Sequence, residues 1–105
     1  MDQDGAETVF SVSTSTNGAR ATVVVSGEVD MSTADAMFQA ATGGVTGGVT
    51  LDLRAVTFFD SAAIHALILL AERYPGALEV IPSPQVHRVL DISGLAGQPW
   101  LRTGD

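Results

Sequence analysis

Between Val49 and Gly94 the hydrophobic pattern keeps switching period, and that alternation restricts the fold more than any other feature of the chain. Val49, Leu51 and Leu53 alternate with Thr50 and Asp52, which reads as a strand with one apolar face. Arg54 to Asp60 leads out of it, and a helix follows at roughly Ser61 to Arg73, closed by Pro75-Gly76. Leu78 to Ile81 is apolar again and short enough for a strand. Ser83-Pro84 then supplies an N-cap with proline at the first helical position. Val86, Val89 and Leu90 form the apolar stripe of the helix that it opens, which ends at Gly94. Strands separated by helices cannot form hairpins. They pair in parallel through right-handed crossovers.

The segment upstream has a different pattern. Thr8 to Thr14 alternates around Val9, Phe10 and Val12 and reads as a strand. Asn17-Gly18 is a hairpin signal, because both residues tolerate positive φ. The return strand is Ala21 to Ser26, and its continuous Val23-Val24-Val25 run suggests burial on both faces. Gly27 to Met31 is expected to turn. Ser32 is a candidate N-cap with Asp35 at the third helical position. Ala34, Met37, Phe38 and Ala41 then recur at helical spacing until Gly43-Gly44. The Gly-Val-Thr-Gly-Gly stretch before Val49 reads as a loop. The tail, Ala96 to Asp105, is expected to add a short edge strand near Trp100-Leu101, with Trp100 as a packing anchor. The order is β-β-α-β-α-β-α, an α/β fold with a mixed sheet and helices packed on it. One domain over residues 1–105 is expected, with its core at about 8–95 and a C-terminal tail at 96–105.

Composition excludes several chemistries. Apolar residues make up 46% of the 105 residues, enough for a core. The net charge of −7, with five arginines and no lysine, repels phosphate backbones, so no direct nucleic-acid binding is expected. Without lysine there is neither a P-loop lysine nor a Schiff base. Without cysteine there is neither a disulfide nor a thiolate metal site. His65 and His87 lack a carboxylate cluster at ligand spacing, so no metal and no cofactor is expected. The apolar run Ala62 to Ala71 is interrupted by His65 and too short to span a bilayer. With no leader pattern at the start, a cytoplasmic protein without membrane insertion is expected.

Chemistry concentrates where the strand after Val49 gives way to a helix. A hydroxyl at Asp60-Ser61 stands near unpaired backbone N–H groups, and a phosphate there would meet the positive end of the helix dipole. The plainer alternative is that one of these two residues only caps the helix. His65 lies one turn after Ser61, so with Asp60 the three superficially suggest a hydrolytic triad. No nucleophile elbow or oxyanion loop accompanies them, and a small serine hydrolase is the weakest of the functional expectations.

Three segments carry a family resemblance. Asp60-Ser61 followed by a small-residue, aliphatic helix resembles the signature of the STAS domain of anti-sigma-factor antagonists. Ser26-Gly-Glu-Val-Asp-Met-Ser-Thr-Ala34 resembles the family's stretch after its second strand. Val86-His-Arg-Val-Leu-Asp-Ile-Ser-Gly-Leu95 resembles its third-helix pattern. They occur in the family's order and span roughly residues 8–95.

The resemblance implies a STAS fold and a regulatory protein rather than an enzyme. It implies an anti-sigma factor as partner, one that is also an ATP-dependent serine kinase. Binding it would release a sigma factor and so regulate transcription. Phosphorylation of Ser61 would end that binding, and a phosphatase would reset it. Asp30 and Asp60 are the matching acidic positions. The same resemblance leaves a second role open, a STAS regulatory subunit of a transporter complex such as a lipid ABC system. One departure is visible: Ala62-Ala63 stand where the family usually has Ser or Thr and then Gly. Alanine raises helix propensity and adds a methyl where a partner could approach.

The helix after Ser61 has two apolar sides. Ile64, Leu67, Ile68 and Ala71 share the side expected to sit on the sheet. Ala62, His65, Ala66 and Leu69 lie roughly opposite, and that side either meets a partner beside Ser61 or is covered by another element. The expected partner-binding set is therefore Asp30, Asp60, Ser61, Ala62, His65 and Leu69.

Overall fold

A computed structural model describes residues 9–44 and 47–102. Its elements are β1 (Phe10–Asn17), β2 (Arg20–Val29), α1 (Ala34–Thr42), β3 (Gly48–Phe59), α2 (Ser61–Arg73), β4 (Leu78–Pro82) and α3 (Pro84–Ile92). The sheet runs β1-β2-β3-β4 in sequence order. β1 and β2 form the antiparallel hairpin, while β2, β3 and β4 are parallel neighbours. Each crossover therefore advances the sheet in one direction. Right-handed connections then put all the helices on the same face.

Burial agrees with that arrangement. Ala21, Val23, Val25 and Val29 of β2 are buried with Val49, Leu51, Leu53, Val56 and Phe59 of β3. Met37 and Ala41 of α1, Leu67 and Leu70 of α2, and Val86 and Leu90 of α3 close over them in one hydrophobic cluster. The expectation that β2 is buried on both faces is not met: Val24 is 42% exposed. An apolar run is a weak guide here, because no described element covers the second face.

Strands β1, β2 and β3 extend beyond their expected ends. Thr8 lies outside the described residues, and β1 continues to Asn17 before the turn, where Gly18 takes the positive φ that the turn requires. Gly27 to Val29 belong to β2 rather than to a turn. Gly27 has φ 90°, and a Cβ there would lie 2.1 Å from the Val9 carbonyl oxygen, so the hairpin closes only on glycine. β3 also runs on through Arg54 to Phe59. It takes up register shifts opposite Val24–Ser26 and Gly27–Glu28, and ends with Phe59 paired to Val29.

The helix ends follow local chemistry. The N-cap of α1 is Thr33, not Ser32, because Ser32 is held in the preceding turn. Ser83 caps α3 as expected: its hydroxyl accepts from Val86 N–H (3.1 Å) and donates to the Val56 carbonyl (2.7 Å), which satisfies a buried polar group twice. The Tyr74 hydroxyl at the end of α2 donates to the Ala41 carbonyl (3.0 Å) and ties the ends of α1 and α2 together. The tail adds a single parallel bridge, Val80 to Leu101, and Trp100 is half-buried against the core cluster.

α2 is rotated from its expected orientation. Its core side is Ala63, Ala66, Leu67 and Leu70, while Ile64, Ile68 and Ala71 are only half-buried. The helix is apolar almost all round from Ala62 to Ala71, so its periodicity does not select one face. Packing against β3 and α1 does.

Candidate partner-binding site

The site begins with strand register. Val29 and Phe59 are paired in adjacent parallel strands, so Asp30 and Asp60 leave the sheet side by side at its carboxyl end. In open α/β sheets this end is where ligands and partners are met. The Asp60 N–H donates to the Val29 carbonyl (3.2 Å), which locks the two exits together.

Asp60 is the N-cap of α2. Its Oδ1 accepts from Ala63 N–H at 3.0 Å, an interaction of about 1 kcal/mol. Ser61 is therefore the first residue of the helix, exposed, and its hydroxyl has no partner among the described residues. The capping alternative applies to Asp60, and Ser61 is left unused by the fold. Among the described residues no hydrogen bond joins the side chains of Asp60, Ser61 and His65 to one another, and the side-chain contact that Asp60 makes is the helix cap.

Asp30 organises the turn into α1. Ser32 donates to its Oδ1 twice, from the backbone N–H (2.9 Å) and from the hydroxyl (2.7 Å). Thr33 accepts from Asp30 N–H and donates to the Glu28 carbonyl, both at 2.9 Å. The Ser32 hydroxyl and N–H hold the Asp30 carboxyl below its ordinary pKa. Asp30 is thus a structural turn residue whatever else it contacts. Met31, next to it, is 83% exposed.

Ala62, His65 and Leu69 lie on the side of α2 that faces α1. They line an open groove of about 260 Å³ with Ala66, and α1 forms its other wall with Ala34, Asp35, Phe38 and Gln39. Ser61, the exposed first residue of the helix, is not among the residues that line it. α1 thus flanks this side of α2 without covering it, and Leu69 stays 39% exposed. Ala66 sinks to the groove floor. The α1 wall was missed because an amphipathic helix is read for its buried stripe, and only the crossover geometry shows which flank faces α2. The two alanines after Ser61 separate cleanly: Ala62 faces the groove, while Ala63 is fully buried. The methyl at Ala63 therefore fills core space and meets no partner.

Asp30, Asp35 and Asp60 belong to the Ser61 end, whereas Arg54 is engaged with Asp52 (2.8 Å), an ion pair that lowers the Asp52 pKa.

Comparisons with known proteins converge on this fold. Residues 12–103 match a family model described as Mlab, STAS domain. An anti-sigma factor antagonist from Mycobacterium paratuberculosis superposes with a TM-score of 0.77 at 27% identity, over 90% of this chain and 86% of that one. The anti-sigma factor antagonist SpoIIAA in its unphosphorylated form gives 0.68 at 17% identity, over 90% and 89%. An antisigma-factor antagonist STAS domain from Rhodobacter sphaeroides gives 0.50 at 15%, over 86% and 94%. No curated protein matches the sequence.

Proposed function

The chain belongs to the STAS-domain family, and from that premise we propose that it is an anti-sigma-factor antagonist switched by phosphorylation of Ser61. The unmodified protein binds an anti-sigma factor with serine kinase activity and so releases a sigma factor. The observation that carries this reading is Ser61 itself. It is an exposed hydroxyl at the first position of α2, left without a structural task because Asp60 makes the cap. The antagonists among its structural neighbours support the partner class, and the protein acts by binding rather than catalysis.

The partner surface is Ser61 and, along the groove, Ala62, His65 and Leu69, flanked by Asp30 and Asp60. The experiment is intact mass, followed by site mapping, after incubation with ATP and anti-sigma kinases from the same genome. One phosphate on Ser61 is expected, and a separate phosphatase removes it. Phosphate on Ser32 or Ser93 would refute the assignment.

The family model's description names Mlab rather than an antagonist, which supports a second reading: a STAS regulatory subunit of a transporter complex of the lipid ABC type. No helix among the described residues is long and apolar enough to cross a membrane. Co-purification separates the two, with a sigma-regulating kinase in the first case and a transporter ATPase in the second.

A further inference from the structure

The two edges of the sheet are finished differently. β4 is covered by the tail: Val80 N–H donates to the Trp100 carbonyl (2.8 Å) and Arg102 N–H to the Val80 carbonyl (2.9 Å). On the other side β1 ends the sheet, and no described residue pairs with its outer edge. We propose that β1 is a self-association edge, through which two copies of this chain pair antiparallel and merge their sheets.

Among the described residues, β1 lacks the usual protections of an edge. Proteins block edge pairing with short strands, charges, proline, bulges or a covering element. This strand is eight residues long, against a typical length of about five or six. Phe10–Asn17 contains no charged residue and no proline, and its register with β2 is unbroken. In a chain of net charge −7, an uncharged strand is where two copies approach at least electrostatic cost.

The pairing can be specified. Glu28 N–H donates to the Val9 carbonyl, and Asn17 pairs with Arg20 across a two-residue turn. Alternation between these points directs the backbone groups of Ser11, Ser13, Ser15 and Asn17 toward β2. Those of Phe10, Val12, Thr14 and Thr16 point to the open edge. A two-fold axis perpendicular to the sheet keeps the helices of both copies on one face, so residues with the same facing must stand opposite each other. Val12 then faces Thr14 of the second copy, and Phe10 faces its Thr16, which forms about eight hydrogen bonds across the seam. α1 packs on β1 and β2, and its flank away from the α2 groove carries Ala36 and Ala40. Methyl groups, not long side chains, therefore line the approach of the two α1 helices.

The test is sedimentation equilibrium of the whole chain from about 1 μM to 1 mM, with amide exchange on the same samples. A monomer–dimer equilibrium is expected, with Phe10, Val12, Thr14 and Thr16 amides gaining protection as concentration rises. Ser11, Ser13 and Ser15 amides should be protected throughout. Thr14→Pro removes an N–H that β2 does not use and should raise the dissociation constant more than about tenfold. Thr14→Lys, at an exposed side chain, should do the same by charge, which covers the case in which the proline variant fails to fold. A monomer at every concentration, or a dimer indifferent to both variants, would overturn the proposal. So would edge protection that arises only when an extended peptide from another protein is added.

Discussion

The carboxylate of Asp30 accepts two hydrogen bonds from Ser32, and this separates the effects of two substitutions there. Asp30→Asn keeps an acceptor oxygen but loses the charge, so it should lower the melting temperature only slightly while weakening anti-sigma binding. Asp30→Ala removes the acceptor and should lower the melting temperature further. The pH dependence has a definite sign. Because the folded pKa lies below the unfolded one, the stabilisation is complete above the unfolded value and is lost as pH falls through the folded value. An NMR titration of the Ser32 amide should show a midpoint below the ordinary aspartate range, and an ordinary midpoint would contradict the hydrogen-bonded turn. Ala63 makes a second residue-scale case. It is fully buried, so Ala63→Gly loses both a packed methyl and helix propensity. Denaturant unfolding should show a loss of about 1–2 kcal/mol, with partner affinity per folded molecule unchanged.

At the scale of elements, helix α2 shows both the reach and the limit of sequence pattern. Its start at Ser61 and its end before Pro75-Gly76 were legible, because capping and helix-breaking are local chemistry. Its facing was not, because ten nearly continuous apolar positions leave the choice to the neighbours. Two charge substitutions test the observed facing. Leu67 is fully buried, so Leu67→Glu buries an unpaired carboxylate and should cost more than about 4 kcal/mol. Leu69 is 39% exposed, so Leu69→Glu should cost no more than about 1 kcal/mol yet weaken partner binding. Equal losses in thermal unfolding would mean that the facing is wrong. Ile68, half-buried beside Trp100, should fall between the two.

For the whole molecule, the element order and the mixed sheet were readable because the βαβ pattern admits few topologies. The site was readable in part. Asp60 and Ser61 adjoin in sequence, but the pairing of Val29 with Phe59 that brings Asp30 beside them depends on register shifts in β3. No local pattern announces those shifts. That convergence is also what makes a local modification matter at the level of the complex. A phosphoserine carries about −1.5 to −2 charges at neutral pH. At Ser61 it gains about 0.3 to 1 kcal/mol from the α2 N-terminus and is repelled by Asp60 and Asp30, so the fold should barely respond. A partner packed over Ser61 would have to desolvate the dianion, and a penalty of about 3 kcal/mol weakens binding more than a hundredfold. The decisive measurement is the affinity of the anti-sigma partner for unmodified, Ser61-phosphorylated and Ser61→Ala protein, with circular dichroism on each. Tight binding by the first and third, a loss of at least about a hundredfold for the second and three superimposable spectra are expected. Equal affinity of the phosphorylated and unmodified forms would contradict the switch.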